Sequence, residues 1–467
     1  MKIRYTPDKL TKIFTLLAIL SVIPVTMVSC KGGTANTSSP EETRREKLSA
    51  DSLLTLVQYR TFQYFWEGAE PVSGMARERY HVDGIYPQND KNVVTTGGTG
   101  FGIMAIITGI ERGFIPRGEG IERLKKIVDF LKKADRYHGA WSHWIDGQTG
   151  KTKPFSPKDN GADIVETAFL IQGLLTAKQY LIDGNEAEKR LSAEIDTLWR
   201  DVNWSWFTKN GEDVIYWHWS PDYQWDMNLK IRGWDECLIV YVLAASSPTY
   251  PVKAEAYHKG WARNGEIITA NRAYDYPLMV NHNYATDLGG PLFWSHYSFL
   301  GLDPRNLQDK YADYWQLNRN HTLINRQWCI ENPGKFEGYG SHCWGLTSSY
   351  SPIGYAAHAP GIGKDLGVIS PTAALSAFPY TPSYSMEALE HFYYDLGDRI
   401  FGKYGFYDAF SIHENWFPQK YLAIDQGPAI VMIENYRSGL LWKYFMKNPE
   451  IQDGLKKLGF FASEQKE

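Results

Sequence analysis

Three apolar stretches of this chain, far apart in sequence, each carry carboxylates. Asp163 and Glu166 lie in the run from Gly161 to Leu175, and Asp235 and Glu236 in the run from Arg232 to Ala245. Asp425 and Glu434 bracket a third, around Gly427 to Ile433. Acids are rarely left in an apolar frame unless they are paired or functional, because desolvating a charge is costly. A fold that accommodates all three segments needs a cavity on which the acids converge. Two carboxyl groups on opposite sides of a sugar bond are what hydrolysis of a glycoside requires, so the pattern points to that chemistry.

Each acid also has a plainer account. Asp163 and Glu166, three apart, share a helix face. Asp163 could equally cap that helix, with Glu166 paired to a base. Glu236, or Asp235, could pair with Arg232. If instead Glu236 is buried without a partner, its pKa rises, as a general acid at neutral pH requires. Asp425 precedes Gln426-Gly427-Pro428 and reads as a helix cap or a direct participant. Glu434, three residues before Arg437, reads as an intrahelical ion pair.

Aromatic residues are the second signal: the 467 residues include 17 Trp, 30 Tyr and 21 Phe. Two loops concentrate them. One runs from His138 to Asp146 and contains Trp141 and Trp144; the other runs from Tyr216 to Trp225 and contains Trp217 and Trp219. Flat rings with a polar edge suit sugar faces, and they also suit small cores that pin long loops. The sequence leaves both readings open.

Helical periodicity predicts helices near 42–67, 99–112, 119–136, 162–182, 186–201, 232–245, 252–263, 306–318, 383–399 and 427–446. The short run Asp213 to Trp217 predicts a rim hairpin. About a dozen helices without a sequence repeat suit a closed toroid of paired helices rather than a solenoid. The glycine run Thr96 to Gly102 resembles a phosphate loop but lacks its Lys and its strand context, so it reads as close helix packing.

A net charge of −4 argues against nucleic acid as partner. Cysteines show no zinc spacing, so no metal is expected, and no cofactor. Cys237, Cys329 and Cys343 are an odd number, and a Cys329–Cys343 disulfide stays open. Lys2, Arg4, Lys9 and Lys12 followed by the apolar stretch Ile13 to Val28 form a signal peptide expected to span 1–29. Ser29-Cys30 resembles a bacterial lipoprotein cleavage site. Cys30 is then the lipidated residue, 30–41 a flexible tether, and 42–467 one catalytic domain. The expected location is the periplasm or outer membrane, attached only through that lipid, with surface exposure open. A monomer is expected.

Longer motifs carry a resemblance over nearly the whole chain beyond the tether. These are Cys343-Trp344-Gly345-Leu346-Thr347-Ser348, Ile369-Ser370-Pro371-Thr372-Ala373-Ala374, Tyr404-Gly405-Phe406-Tyr407-Asp408-Ala409-Phe410 and Tyr421-Leu422-Ala423-Ile424-Asp425-Gln426-Gly427-Pro428, with Ile433 to Arg437 following. They resemble the glucoamylase-like (glycoamylase) domain, which is similar to glycoside hydrolase family 144. The resemblance implies an all-α (α/α)6 barrel and an inverting endo-β-1,2-glucanase giving short products such as sophorose. It maps catalytic candidates onto Asp159, Asp163, Glu166 and Glu236. Asp425 becomes a further pocket acid and Tyr407 a sugar contact, beside Trp141, Trp144, Trp217, Trp219 and Trp225. Which carboxyl is acid and which is base stays open. A glucan hydrolase of other linkage and a non-catalytic glycan-binding lipoprotein are the alternatives.

Overall fold

The computed structural model describes residues 45–86 and 90–462. The expected signal peptide, Cys30 and tether lie outside the described residues. Helices follow one another as α1 (Ala50–Trp66), α2 (Thr96–Glu111), α3 (Arg117–Leu131), α4 (Ile164–Leu181), α5 (Glu186–Arg200), α6 (Leu238–Ser246) and α7 (Tyr314–Glu331). After these come α8 (Pro371–Ser376), α9 (Pro382–Glu390), α10 (Gly397–Ile400), α11 (Ala423–Ser438), α12 (Leu440–Met446) and α13 (Pro449–Lys457). Among the described residues no strand exceeds four residues, and strands pair into small sheets on loops.

The helices form an (α/α)6 toroid. Along the chain, outer and inner elements alternate. The inner ring is α2, α4, α6, a pair of 3-10 turns (Leu292–Ser295 and Tyr297–Phe299), α8 and α11, and it closes where α11 packs on α2. The outer elements are α1, α3, α5, the π-helical turn Ala256–Trp261, α7 and α9. Burial follows this division. All 18 residues of α4 are buried, as expected of a helix with neighbours on every side. Outer α5 keeps one apolar stripe (Leu191, Ile195, Leu198, Trp199).

Glycines set the spacing of the inner ring. A Cβ at Gly100 would lie 2.1 Å from the Phe169 carbonyl oxygen, and one at Gly173 would lie 2.2 Å from the Gly100 oxygen. The glycine run of α2 therefore serves close helix packing, as its sequence indicates.

Several expected boundaries shift. Helix α7 starts at Tyr314 rather than near 306, because Asp309 turns the chain by accepting the amides of Tyr311 and Ala312, and Asp313 then caps the helix. Helix α6 starts at Leu238 because Gly233 takes a positive φ of 79° and Asp235 accepts the Cys237 amide. Asp213 to Trp217 forms no regular strand but pairs in hairpin fashion at its end, through Tyr216↔Lys230, with the Trp217 amide donating to Leu229 and the Ile231 amide to Ile215. The strand itself starts one step later, with Ala162↔Trp219 and Asp163↔His218. Glu434 does not pair with Arg437. It accepts from Arg112 of α2 at 2.7 and 3.0 Å, while Arg437 reaches Asp51 and Gln58 of α1. Cys329 and Cys343 are free, buried thiols.

Candidate active site

Inner helices α2, α4 and α11 begin at the site, as does the turn leading into α6, and this is why acids so distant in sequence meet. Asp163 is the N-cap of α4: its Oδ1 accepts the amides of Val165 and Glu166, both at 2.9 Å. Such a cap contributes about 1 kcal/mol. Its Oδ2 accepts from the Trp217 indole at 3.2 Å and lies 2.9 Å from His143 Nδ1. The residue is fully buried. Burial pushes its pKa up, but the hydrogen bond and charge of His143, then His218 and the Glu166 amide, prevail and hold it below the ordinary value.

Glu166, one turn on, points toward α2. Its Oε2 accepts the Gly97 amide at 2.8 Å and the Thr95 hydroxyl at 3.3 Å. A Cβ at Gly97 would sit 2.6 Å from that oxygen, so glycine is what lets this free helix-start amide reach the carboxylate. Burial raises the Glu166 pKa; His143 opposes the rise, Asp163 adds to it, and the Gly97 amide and Thr95 also restrain it.

His143 sits among these acids. Nδ1 faces Asp163, with Asp159 Oδ2 at 3.9 Å, and Nε2 lies 4.0 Å from Glu166 Oε1. Burial would lower its pKa, but Glu166, Asp163 and Asp159 push it up to about 9. His218 Nε2 closes the group at 3.4 Å from Asp159 and 3.6 Å from Asp163. Ligand atoms of His143, Asp159 and Asp163 lie within 4.8 Å of one another. With both Asp163 oxygens committed to amides, indole and imidazole, however, the group is an ion-pair cluster and not an open metal site.

Glu236 lies across the cleft, on the turn leading into α6. Burial, then neighbouring Asp235, raises its pKa well above the usual carboxylate range. Asp235 accepts from the Asn283 side chain at 2.9 Å and is itself pushed up to about 6 by burial. Among the described residues no ion pair joins either acid to Arg232, so that simpler account is corrected: Gly233 breaks the helix that would have set Arg232 beside them.

The cleft has two lobes, of about 530 and 690 Å³, and Glu236 and Trp217 line both. The first lobe is also lined by Glu166, His143, Trp144, Phe155, Tyr297 and Tyr355, the second by Arg232, Asp235, Asn283 and Trp294. Of the four acids expected to act, Glu166 and Glu236 line the cleft. Asp163 and Asp159 stand behind His143.

The expected sugar contacts divide similarly. Trp144 and Trp217 line the cleft. Trp141 is a correction: it is fully buried, its indole donates to the Leu131 carbonyl, and Arg136 covers its ring at 4.3 Å. Trp219 packs on Trp206 and His138, and Trp225 on Trp206, Phe207 and Tyr216. These two pin the loop to His138 and to the segment carrying Trp206 and Phe207. Tyr407 packs on Tyr421 at 5.0 Å with the rings tilted, and it lines neither lobe. Asp425 lies in the first turn of α11 behind the wall, buried against Asp408. Burial, then Asp408, raises its pKa well above normal; burial pushes Asp408 up to about 6, and the Tyr350 amide donates to it at 2.7 Å.

Sequence reasoning missed Glu78, Arg79 and Asp90, which line the first lobe. Arg79 pairs with Glu78 and lies 3.2 Å from Asp90. They occupy a polar stretch with no apolar frame; Arg79–His81 pairs with Lys420–Leu422, while the Glu78 amide donates to Val93 and the Val93 amide to Asp90.

An inner ring of helices bearing opposed carboxyl groups over a long aromatic-walled cleft defines a glycoside hydrolase of the (α/α)6 class. The Glycoamylase family model ("Putative glucoamylase") matches residues 228–449. An endo-β-1,2-glucanase from Chitinophaga pinensis, solved with sophorotriose and glucose, is 65% identical, with 89% of this chain and 99% of that chain covered and a TM-score of 0.88. The chain therefore belongs to the glucoamylase-like family, in keeping with glycoside hydrolase family 144. An exo-β-1,2-glucooligosaccharide sophorohydrolase (non-reducing end) from Parabacteroides distasonis is 46% identical over 93% of this chain, which spans 61% of that relative's length. A Talaromyces funiculosus endo-β-1,2-glucanase, 12% identical with a TM-score of 0.61 over 88% of this chain and 91% of that one, shares the fold.

Proposed function

We propose that this protein hydrolyses β-1,2-glucan from within the chain, with inversion, releasing short oligosaccharides such as sophorose. The observation that carries the proposal is that Glu166 and Glu236 face one cavity from different inner helices and are held to different degrees of acidity. Glu236, buried beside Asp235, keeps its proton and donates it to the glycosidic oxygen. Glu166, restrained by His143 and the Gly97 amide, is the carboxylate that activates water, directly or through a substrate hydroxyl. Trp217, shared by both lobes, is placed to stack on the sugars flanking the cut bond.

The internal mode of attack is supported by the second lobe beyond Glu236, which leaves room for sugars on both sides of the cut. The 65% identical Chitinophaga relative acts in that mode. The Parabacteroides relative favours the second reading, release of sophorose from the non-reducing end. Incubation with linear β-1,2-glucan, with starch as control, decides. A spread of oligosaccharides early in the time course supports internal cutting. Sophorose alone from the first minutes supports the exo reading. Glucose from starch refutes the linkage.

A further inference from the structure

His143 enters the mechanism above only as a charge that restrains Glu166, yet its own geometry is closely constrained. Asp163 is fixed first, because two amides of α4 and the Trp217 indole immobilise it. Asp163 then fixes the imidazole through Nδ1 at 2.9 Å. Phe155 stacks on the ring at 4.1 Å and 23°, and Trp144 meets it edge-on. This leaves Nε2 directed at Glu166 Oε1, 4.0 Å away, with the side chain 21% exposed at the cleft wall. The charged and titratable groups facing the ring are Asp163, Asp159 and Glu166, with His218 beyond the two aspartates and Glu78 across the lobe. Those facing Glu166 are His143, Asp163, Glu236 and Tyr297, with the Gly97 amide and the Thr95 hydroxyl, while Arg79 and Lys153 line the same lobe. Within this set His143 is the cation nearest to Glu166.

We propose that His143 is a positioning residue: clamped by Asp163, its imidazolium keeps Glu166 oriented and in the carboxylate form that activates water. The inference rests on Glu166 being the base, and it gives Asp163 and Asp159 their work, which is to keep the imidazole charged and aimed. An aspartate that orients a histidine acting on a third group is a recurring device in enzymes. Here the third group is a carboxylate, and the device tunes its acidity.

The test is the titration of Glu166 and His143 in ligand-free enzyme, by carbon-13 NMR of labelled Glu and His side chains, together with the pH profile of kcat/KM on β-1,2-glucan. In His143→Gln the Glu166 titration and the acid limb of the profile should both move to higher pH, by about one unit or more, as expected when an opposite charge ~4–6 Å away is lost. Part of the lost activity should return on raising the pH. Asp163→Asn is the second variant, because Asn also caps a helix. In it the His143 titration should fall from about 9 toward the ordinary histidine range. Glu166 should not move upward there, because the imidazole is still charged at the acid pH where Glu166 titrates.

Opposite responses of Glu166 in the two variants are something general damage to the fold would not produce. Glu166 titrating in His143→Gln where it does in the wild type would overturn the proposal, as would a wild-type His143 with an ordinary pKa. Failure here is distinguishable from failure of the proposed reaction. Product from β-1,2-glucan with an unmoved Glu166 rejects the role of His143 alone, whereas no product with a shifted Glu166 rejects the reaction and supports the electrostatic unit.

Discussion

On one wall of the cleft, Glu166 has a cation, an amide and a hydroxyl for neighbours. On the other, Glu236 has a second acid, Asp235, beside it and, among the described residues, no ion pair. Burial raises the pKa of both. On the first wall the rise is opposed, and on the second it is reinforced. On the mechanism proposed above, the same functional group is thereby set to two tasks by what surrounds it, a base where positive charge is supplied and an acid where it is withheld. The buried Asp408–Asp425 pair is a third case, in which two acids adjoin each other, the Tyr350 amide donates to Asp408, and Lys420 opposes while Glu78 adds to the rise. That environment resembles the Glu236 wall, but neither acid lines the two lobes.

The largest effects should come from abolishing the contrast. Glu236→Gln should lower kcat on β-1,2-glucan by about 10²–10⁴-fold with little change in KM, because general acid catalysis contributes about that much. Glu166→Gln should cost a similar factor. If it left kcat near wild type while Asp163→Asn did not, the base would be the capping aspartate and the two walls would have to be redrawn.

A smaller effect is expected where the walls meet. Trp217→Ala removes a ring shared by both lobes and an indole that holds Asp163. It should raise KM about tenfold, the scale of one aromatic contact of ~1 kcal/mol or more. Trp225→Ala should leave KM unchanged and lower only the melting temperature, because that ring packs on Trp206, Phe207 and Tyr216 and does not line the cleft.

The smallest effect tests the third acid site through stability. The Asp408 pKa is raised from 3.8 to about 6 in the folded protein. Its contribution is therefore fully present below the unfolded value and is lost as pH rises through about 6. Asp408→Asn should accordingly raise the melting temperature at pH 8 by the equivalent of about 1 kcal/mol, and leave it unchanged or lowered near pH 4. Scanning calorimetry at the two pH values reads the difference. Equal shifts at both would mean that the pair carries no ionisation strain.

The acids of the cleft were legible because an ionisable group in an aliphatic frame is costly wherever it ends up, and that cost can be read without knowing the fold. Glu236 stood out in this way although the helix expected to carry it starts only at Leu238. The aromatic loops were not legible to the same depth. A tryptophan in a polar loop looks alike whether it meets a sugar or another ring. Trp144 and Trp217 line the cleft, whereas Trp141, Trp219 and Trp225 found partners supplied by other segments. His143 lay in plain view between Trp141 and Trp144, but its meaning depends on Asp163, which a separate strand brings near. Glu78, Arg79 and Asp90 gave no local signal because backbone pairing delivers them, Arg79 against Leu422 more than 300 residues away and Glu78 and Asp90 against Val93. The fourth inner position, built from two 3-10 turns after Pro291, has no periodicity for a helix pattern to detect.

The glycine contacts between α2 and α4 have a consequence for how such a protein can change over time. Where the two backbones touch, at Gly100 and Gly173, the spacing of α2 and α4 is fixed by main-chain atoms, which substitution cannot alter by degrees. The loops have such contacts at single points, Gly139 against the Asp201 carbonyl and Gly161 against the Trp219 carbonyl. Between those points a loop can change length while the carboxylate on α4 keeps a constant calibration. Any methyl group added at Gly97, Gly100 or Gly173 would spoil that calibration in a single step.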